Sequence, residues 1–170
     1  MPTTSDSPWT VDTHILVYAT EPDGLAMNQQ LDDELNQQLN QQSNQPIKRR
    51  IARQLLGRLG LQEQALLVGQ VVSEFVSVML QKGAMSHVQA SEAAVLLSRG
   101  ARVLGASGEA YAQAWELVGK HKYQMWDALT IAICAEHGIK TLYSEDAGSL
   151  KRPLGVQVIN PFAKLELGST

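Results

Sequence analysis

Four acidic residues, Asp12, Glu74, Asp127 and Asp146, fall at the junctions between apolar runs or at their edges rather than inside solvated charge runs. The densest stretch is residues 126–146, WDALTIAICAEHGIKTLYSED, with an acid near each end. Carboxylates offer only oxygen donors. If the four converge, two of them ~5 Å apart at an effective dielectric of about 20 repel by roughly 3 kcal/mol, so protonation or a bound cation must relieve the cluster. All-oxygen ligand sets select hard ions such as Mg2+ or Mn2+. An ion held in that way suits phosphodiester hydrolysis, where it generates the attacking hydroxide and stabilises the leaving oxygen. Each acid also has a purely structural use: Asp12 and Asp127 as helix caps, Asp146 in an Asx-turn, Glu74 as an edge residue reaching solvent. Spacing alone does not decide between the two uses.

The elements that must position these acids can be read from the apolar pattern. Residues 9–12 form a short buried strand and residues 15–18 begin a helix, so Asp12 lies at a strand-to-helix junction. A second strand at 65–68 leads into a helix at 70–80 whose apolar side is Val71, Phe75, Val78 and Met79, with Glu74 beside it. A carboxylate turned toward a core needs a partner, a raised pKa or a metal. Asp127 opens an apolar-periodic run, Ala128, Ile131, Ala132 and Ala135, that stops at His137 and Gly138, a C-terminal cap signal. A β-prone run at 141–143 follows and breaks into Ser144, Glu145 and Asp146. In open α/β sheets sites form beyond the carboxyl ends of the strands. A helix packed antiparallel to its strand brings its own N-terminus back to that edge, which lets Asp127 and Asp146 meet.

Around these elements, Pro46 starts a helix whose inward face is Ile47, Ile51, Leu55, Leu56 and Leu59. Its Lys48, Arg49, Arg50, Arg53 and Arg58 make it the most basic segment, read as a wet face or as a patch for phosphates. Residues 28–45 are Gln/Asn-rich and read as an insertion, either a loop or an exposed helix with a thin leucine stripe. A helix over 86–99 is apolar at Val88, Ala93, Val95, Leu96 and Leu97. In a further helix over 108–121, Tyr111, Ala114, Trp115 and Val118 are expected to turn inward. Strands are expected at 102–104 and 156–159. Short strands alternating with amphipathic helices predict an α/β fold with a mainly parallel sheet. Residues 9–162 make a single domain, with 1–8 and 163–170 as flexible tails.

The 170 residues, 44% of them apolar, suit one domain with a substantial core, and a net charge of −3 neither requires nor forbids nucleic acid. The single cysteine, Cys134, excludes an internal disulfide framework and sits on an apolar run that favours packing. No signal peptide or membrane-spanning stretch is apparent, so a cytoplasmic location is expected. A glycine-rich phosphate loop, a nucleophile elbow, HExxH and CxxC are all missing from the sequence. His14, His87, His121 and His137 show no ligand spacing, which disfavours a zinc site or a Ser-His-Asp enzyme.

The segments VDTHILVYA, VSEFVSVML, WDALTIAICAEHG and LYSEDAG, in that order and followed by VQVINPF, resemble the PIN-domain ribonucleases, and among them the bacterial VapC-type toxins of toxin–antitoxin pairs. The likeness runs from Val11 to Phe162 apart from the Gln/Asn-rich insertion. It implies a three-layer sandwich with a central, mainly parallel β-sheet flanked by α-helices. It also implies Asp12, Glu74 and Asp127 as core acids binding Mg2+ or Mn2+, with Asp146 as the fourth. Thr13 and Ser144 match hydroxyl positions near the site, and Glu145 is an accessory candidate. The resemblance further implies an RNA substrate, a cognate antitoxin that occludes the cleft, and a homodimer, with no role for a membrane. Lys48, Arg49, Arg53, Lys151 and Arg152 are candidate RNA contacts. One departure stands out: His14 occupies a position where the family usually has Asn or Ser. An imidazole there titrates near neutral pH, and it either orients a water or fills space beside Asp12.

Three alternatives remain at this level. One is a PIN-fold module that binds RNA or protein without catalysis, and another is a PIN nuclease of RNA processing with no antitoxin. A phosphatase or phosphoacceptor built on a strand-end Asp would want a second Asp two residues after Asp12, where His14 stands.

Overall fold

A computed structural model describes residues 7–21, 35–62, 65–146 and 152–163, the backbone alone over 35–43. The elements run β1 (Trp9–Val11), α1 (Thr13–Thr20), α2 (Leu35–Gly60), β2 (Leu66–Val68), α3 (Gly69–Gln81), α4 (His87–Gly100), β3 (Arg102–Leu104), α5 (Gly108–His121), α6 (Met125–Glu136), β4 (Thr141–Tyr143), a 3-10 turn (Pro153–Gly155) and β5 (Gln157–Ile159).

Among the described residues all strand pairings are parallel: β1 with β4, β4 with β5, and β2 with β3. The ladders form a three-stranded sheet, β1-β4-β5, and a two-stranded one, β2-β3. They lie side by side through β1 and β2, where the buried Thr10 hydroxyl donates to the Leu66 carbonyl at 2.8 Å. Read across both, the order is β3-β2-β1-β4-β5. The chain therefore leaves β1 in opposite directions in its two halves, and β1/β4 is the switch point at which α/β folds place their sites. Parallel strands covered by helices lose the in/out alternation. Leu66, Leu67 and Val68 are accordingly all buried, while β3 is mostly exposed along an edge.

The helices cover these strands. α2 packs on β1, and both α3 and α6 pack on β2; α1 packs on α2 and α3, α3 on α4, and α5 on α6. Phe75, Met79, Ile15, Leu16, Leu129, Ile133 and Phe162 are among the fully buried side chains, and each contributes about 1.5–3 kcal/mol of transfer free energy. Gly69 opens α3 against β3, where an added Cβ would meet the Leu104 carbonyl oxygen and Val103 Cγ1, each at 3.3 Å. α6 ends as its sequence predicts, with Gly138 at φ +72° beyond the His137 C-cap.

Two expectations are corrected. The helix expected to start at Pro46 begins at Leu35, so the part of the Gln/Asn-rich stretch that is described is helical, and Pro46 lies inside α2. Proline costs the helix a backbone bond, but the Gln and Leu that precede it are good helix formers and carry the helix across. The beginning of that stretch, 28–34, lies outside the described residues. In α4 Ala90 is buried and Ala93 and Leu97 are partly buried against the core, while Val88, Val95 and Leu96 are exposed. In α5 the buried residues are Ala110, Ala114 and Leu117, whereas Tyr111 and Trp115 face solvent, with Trp115 62% exposed. Among the described residues no helix is long and apolar enough to cross a membrane.

Candidate functional site

The site grows from the parallel register of β1 and β4. Val11 pairs with Tyr143, and the Asp12 amide continues that ladder to the Tyr143 carbonyl at 2.9 Å. The Ser144 amide continues the next one, to the Ile159 carbonyl at 3.0 Å. Asp12 and Ser144 are thereby held side by side just beyond the strand ends, and the Ser144 hydroxyl donates to Asp12 Oδ2 at 2.7 Å. Asp12 is also the N-cap of α1, with Oδ1 accepting from the Thr13 amide at 2.7 Å. The cap use and the site use coexist in one side chain.

The other acids join from separate elements. Glu74, on α3, accepts a hydrogen bond at Oε2 from the Thr13 hydroxyl at 2.8 Å. Thr13 is buried and next to Asp12, so α1 carries two contacts of the network. Asp146 follows β4, and its amide donates to the Ser144 hydroxyl oxygen at 3.1 Å, in a turn built by serine rather than by the aspartate itself. Asp127 lies in the first turn of α6; the N-cap there is Gln124, without a side-chain cap bond. The predicted cap role of Asp127 is therefore corrected. An acid in the first turn is favoured by the helix dipole, but it does not satisfy the leading amides.

Electrostatics report that the four acids share one field. Burial pushes the Asp127 carboxyl up to about 6, and the charges of Asp12, Asp146 and Glu74 add to it, with His14 opposing. Burial is also the largest influence on Asp12 and works upward. The combined pull of His14, the Ser144 hydroxyl and the Thr13 amide outweighs it and keeps Asp12 below the ordinary carboxylate range. Asp12 therefore stays ionised, and Asp127 is the member that gives way.

His14 points outward, its side chain 52% exposed, with Nδ1 4.0 Å from Asp12 Oδ2. At that separation the attraction is between charges rather than a hydrogen bond. The Asp12 carboxylate raises the imidazole above its usual pKa, with help from Asp146 and Glu145 and against partial burial.

Glu145 and three of the basic candidates make contacts between elements. Glu145 pairs with Lys48 through Oε1 and accepts from the Tyr18 hydroxyl at Oε2, 3.1 Å away. Tyr18 is held protonated, its pKa raised by burial and by the Glu145 charge. Arg49 pairs with Glu21 at 3.4 Å, and Arg53 donates to the Ala19 and Glu21 carbonyls at 3.1 and 2.8 Å. Lys48 and Arg49 thus tie α2 to the segment after β4 and to the end of α1, and Arg53 adds bonds to the end of α1 from an exposed position. Of the remaining two, Arg152 is exposed ahead of the 3-10 turn and Lys151 lies outside the described residues. The pattern of the sequence carried no signal for the Lys48–Glu145–Tyr18 grouping, since its members come from three distant segments. Cys134 is buried, and burial pushes its thiol up to about 12, as a packing role requires.

The donors are carboxylates and hydroxyls, a set that fits a hard divalent cation, and the half-buried Asp127 pressed by three like charges marks a place short of positive charge. Among the described residues no three His, Cys, Asp or Glu side chains are arranged to close on an ion by themselves.

No curated protein matches the chain. The chain is similar to the crystal structure of Mycobacterium tuberculosis VapC20, described as a Sarcin-Ricin loop cleaving toxin. Sequence identity is 20% and the TM-score 0.56, over 79% of this chain and 86% of that one. The family model of the PIN domain matches residues 42–153, a span that holds Glu74, Asp127 and Asp146 and begins after Asp12. With that match over most of its length, and acids gathered at the switch point of a parallel sheet, the chain belongs to the PIN-domain family.

Proposed function

We propose that this protein is a metal-dependent endoribonuclease that hydrolyses RNA phosphodiester bonds and serves as the toxin of a type II toxin–antitoxin pair. The observation that carries the proposal is the arrival of four carboxylates, from β1/α1, α3, α6 and the segment after β4, in one field at the β1/β4 edge. The name of the VapC20 structure, a toxin that cleaves the Sarcin-Ricin loop, supports RNA as the substrate class.

Asp12, Glu74, Asp127 and Asp146 would hold Mg2+ or Mn2+, which when bound supplies an activated water and neutralises charge at the phosphodiester. The chain's own residues prepare that role. Ser144 and the Thr13 amide keep Asp12 ionised and fixed, and the Thr13 hydroxyl orients Glu74. Asp127, with its pKa at about 6, takes up a proton in the ion-free protein below that pH and gives it up when positive charge arrives. His14 at the rim, positively charged below its raised pKa, attracts a phosphate toward the acids, and exposed Arg152 is a further RNA contact. The substrate is single-stranded or looped RNA. The proposal extends to an antitoxin covering the acidic cleft, a homodimer, and action in the cytoplasm.

The test is RNA cleavage by purified protein with added Mn2+. Asp12→Asn abolishes cutting while circular dichroism stays that of the wild type; undiminished cutting by this variant sinks the mechanism. A second reading is a PIN-fold module that binds RNA or protein without catalysis, against which the retention of all four acids argues. Calorimetry separates the two, since a binding module takes up no Mn2+. A small upstream reading frame with a DNA-binding N-terminus would separate a toxin from a PIN nuclease of RNA processing.

A further inference from the structure

Helix α2 meets the segment after β4 through Lys48. Lys48 is largely covered, its side chain 16% exposed, and it pairs with Glu145, whose side chain is 22% exposed. The ammonium also lies 5.5 Å from the centroid of the Tyr18 ring and 5.4 Å from that of Phe162. Those two rings meet edge to face at 5.4 Å and 87°. The second Glu145 oxygen is taken by the Tyr18 hydroxyl at 3.1 Å. Both oxygens of this carboxylate therefore have partners outside the acid cluster.

Glu145 stands between Ser144, which holds Asp12 Oδ2, and Asp146, whose amide is held by Ser144. Resting on the proposed nuclease reading, we propose that Glu145 is an anchor rather than a ligand, and that Lys48 is a positioning residue which sets Asp146 through it. The physical logic has two parts. A carboxylate with both oxygens engaged by α1 and α2 cannot swing toward Asp146, so the three residues after β4 keep one conformation. The ammonium also cancels a fifth negative charge beside a cluster already under mutual repulsion; a buried carboxylate that loses its cation keeps its charge and its desolvation cost. Lys48, a candidate RNA contact from the sequence, is thereby assigned to the ordering of the fourth acid. Phosphate contact would need the same ammonium to leave Glu145 and two aromatic faces.

The experiment measures Mn2+ affinity from the free-ion electron paramagnetic resonance signal, together with RNA cleavage, in the full chain. Wild type is compared with Lys48→Met, Lys48→Arg, Glu145→Gln and the Lys48→Met/Glu145→Gln pair, all below their unfolding temperatures. Lys48→Met is expected to weaken Mn2+ binding roughly tenfold, the lower end of what loss of an outer partner costs a metal site. kcat is expected to fall with KM for RNA little changed, and Lys48→Arg restores most of both. The double variant should be no worse than Lys48→Met alone, because the two side chains act as one unit. If Lys48→Met leaves Mn2+ affinity at the wild-type value and raises only KM, with a shallower salt dependence, Lys48 is a phosphate contact and the inference is overturned. If it lowers Tm but leaves Mn2+ affinity and kcat intact in the folded protein, the role is structural and the inference is again overturned. If wild type itself takes up no Mn2+ and Asp12→Asn does not change cleavage, the nuclease reading falls and takes the inference with it. Only a binding, Asp12-dependent wild type beside an unaltered Lys48→Met isolates a failure of the inference alone.

Discussion

Asp127→Asn should make the ion-free protein more stable while destroying the site. In the folded chain burial and three neighbouring carboxylates raise the Asp127 pKa from 3.8 to about 6. A carboxyl raised on folding binds its proton more tightly in the native state. Its contribution to stability is therefore complete below about 3.8 and is lost as pH rises through about 6. Above that pH the ionised group is a net cost. A shift of about two units sets an upper limit of about 3 kcal/mol. Asp127 is only partly buried and solvent screens it, so about 1–2 kcal/mol is the reasonable scale. Against this, the charge in the first turn of α6 gains about 0.3–1 kcal/mol from the helix dipole, which asparagine forfeits. The repulsion wins, and the variant should gain about 1 kcal/mol at pH 7.5 in EDTA. Asparagine matches aspartate in shape, so packing barely changes. Urea unfolding followed by the fluorescence of the three tryptophans reads the difference. The gap should shrink as pH falls toward 4.5. Saturating Mn2+ should reverse the order, because wild type gains about 2.7 kcal/mol when the ion is at 100 times its dissociation constant and the variant gains little. A variant less stable than wild type in EDTA, with the same gap at both pH values, would refute the claim that the four acids share one field.

Ser144→Ala removes the hydroxyl that serves both Asp12 Oδ2 and the Asp146 amide, and should cost about 1–3 kcal/mol in urea unfolding with RNA cleavage reduced. Full cleavage by this variant would separate the hydroxyl from the site. The Cys134 thiol, buried with its pKa at about 12, should resist a disulfide reagent at pH 8 in the native protein and react at once in urea. Immediate reaction of the folded protein would mean that α6 is not packed as described. Loss of cleavage in Asp12→Asn and loss of Mn2+ affinity in Lys48→Met complete the set.

The candidate acids could be picked out in the sequence because they sit at local junctions, although a junction alone fits a cap or turn as well as a site. Asp12 follows a strand and precedes a helix, Glu74 flanks an apolar stripe, and Asp146 ends a β-prone run. Such junctions are written in consecutive residues. The buried face of α5 was less legible, and α4 shows the same effect. Val88, Leu96, Tyr111 and Trp115 fit an inward stripe by type, yet they face solvent, since smaller residues such as Ala90, Ala110 and Ala114 make the close contacts. Side-chain type reports what burial would be worth, whereas helix rotation is settled by which surface comes within reach. The start of α2 was misplaced for a similar reason: Pro46 is a common first-turn residue, and the helix that runs through it depends on its flanking turns.

The sequence by itself determined the α/β class, the parallel pairing implied by alternating short strands and helices and the buried character of Cys134, and it nominated four junction acids while leaving their convergence open. These follow from periodicity and from residue chemistry, which are local. Only the tertiary structure decided which groups stand together. The β1/β4 register brings Ser144 to Asp12 across 132 positions, α3 delivers Glu74 to Thr13 across 61, and α2 delivers Lys48 to Glu145 across 97. Charge interactions fall off with distance in space and take no account of distance along the chain. For that reason the raised pKa of Asp127, the ionised state of Asp12 and the internal use of Lys48 emerge only once the chain is folded.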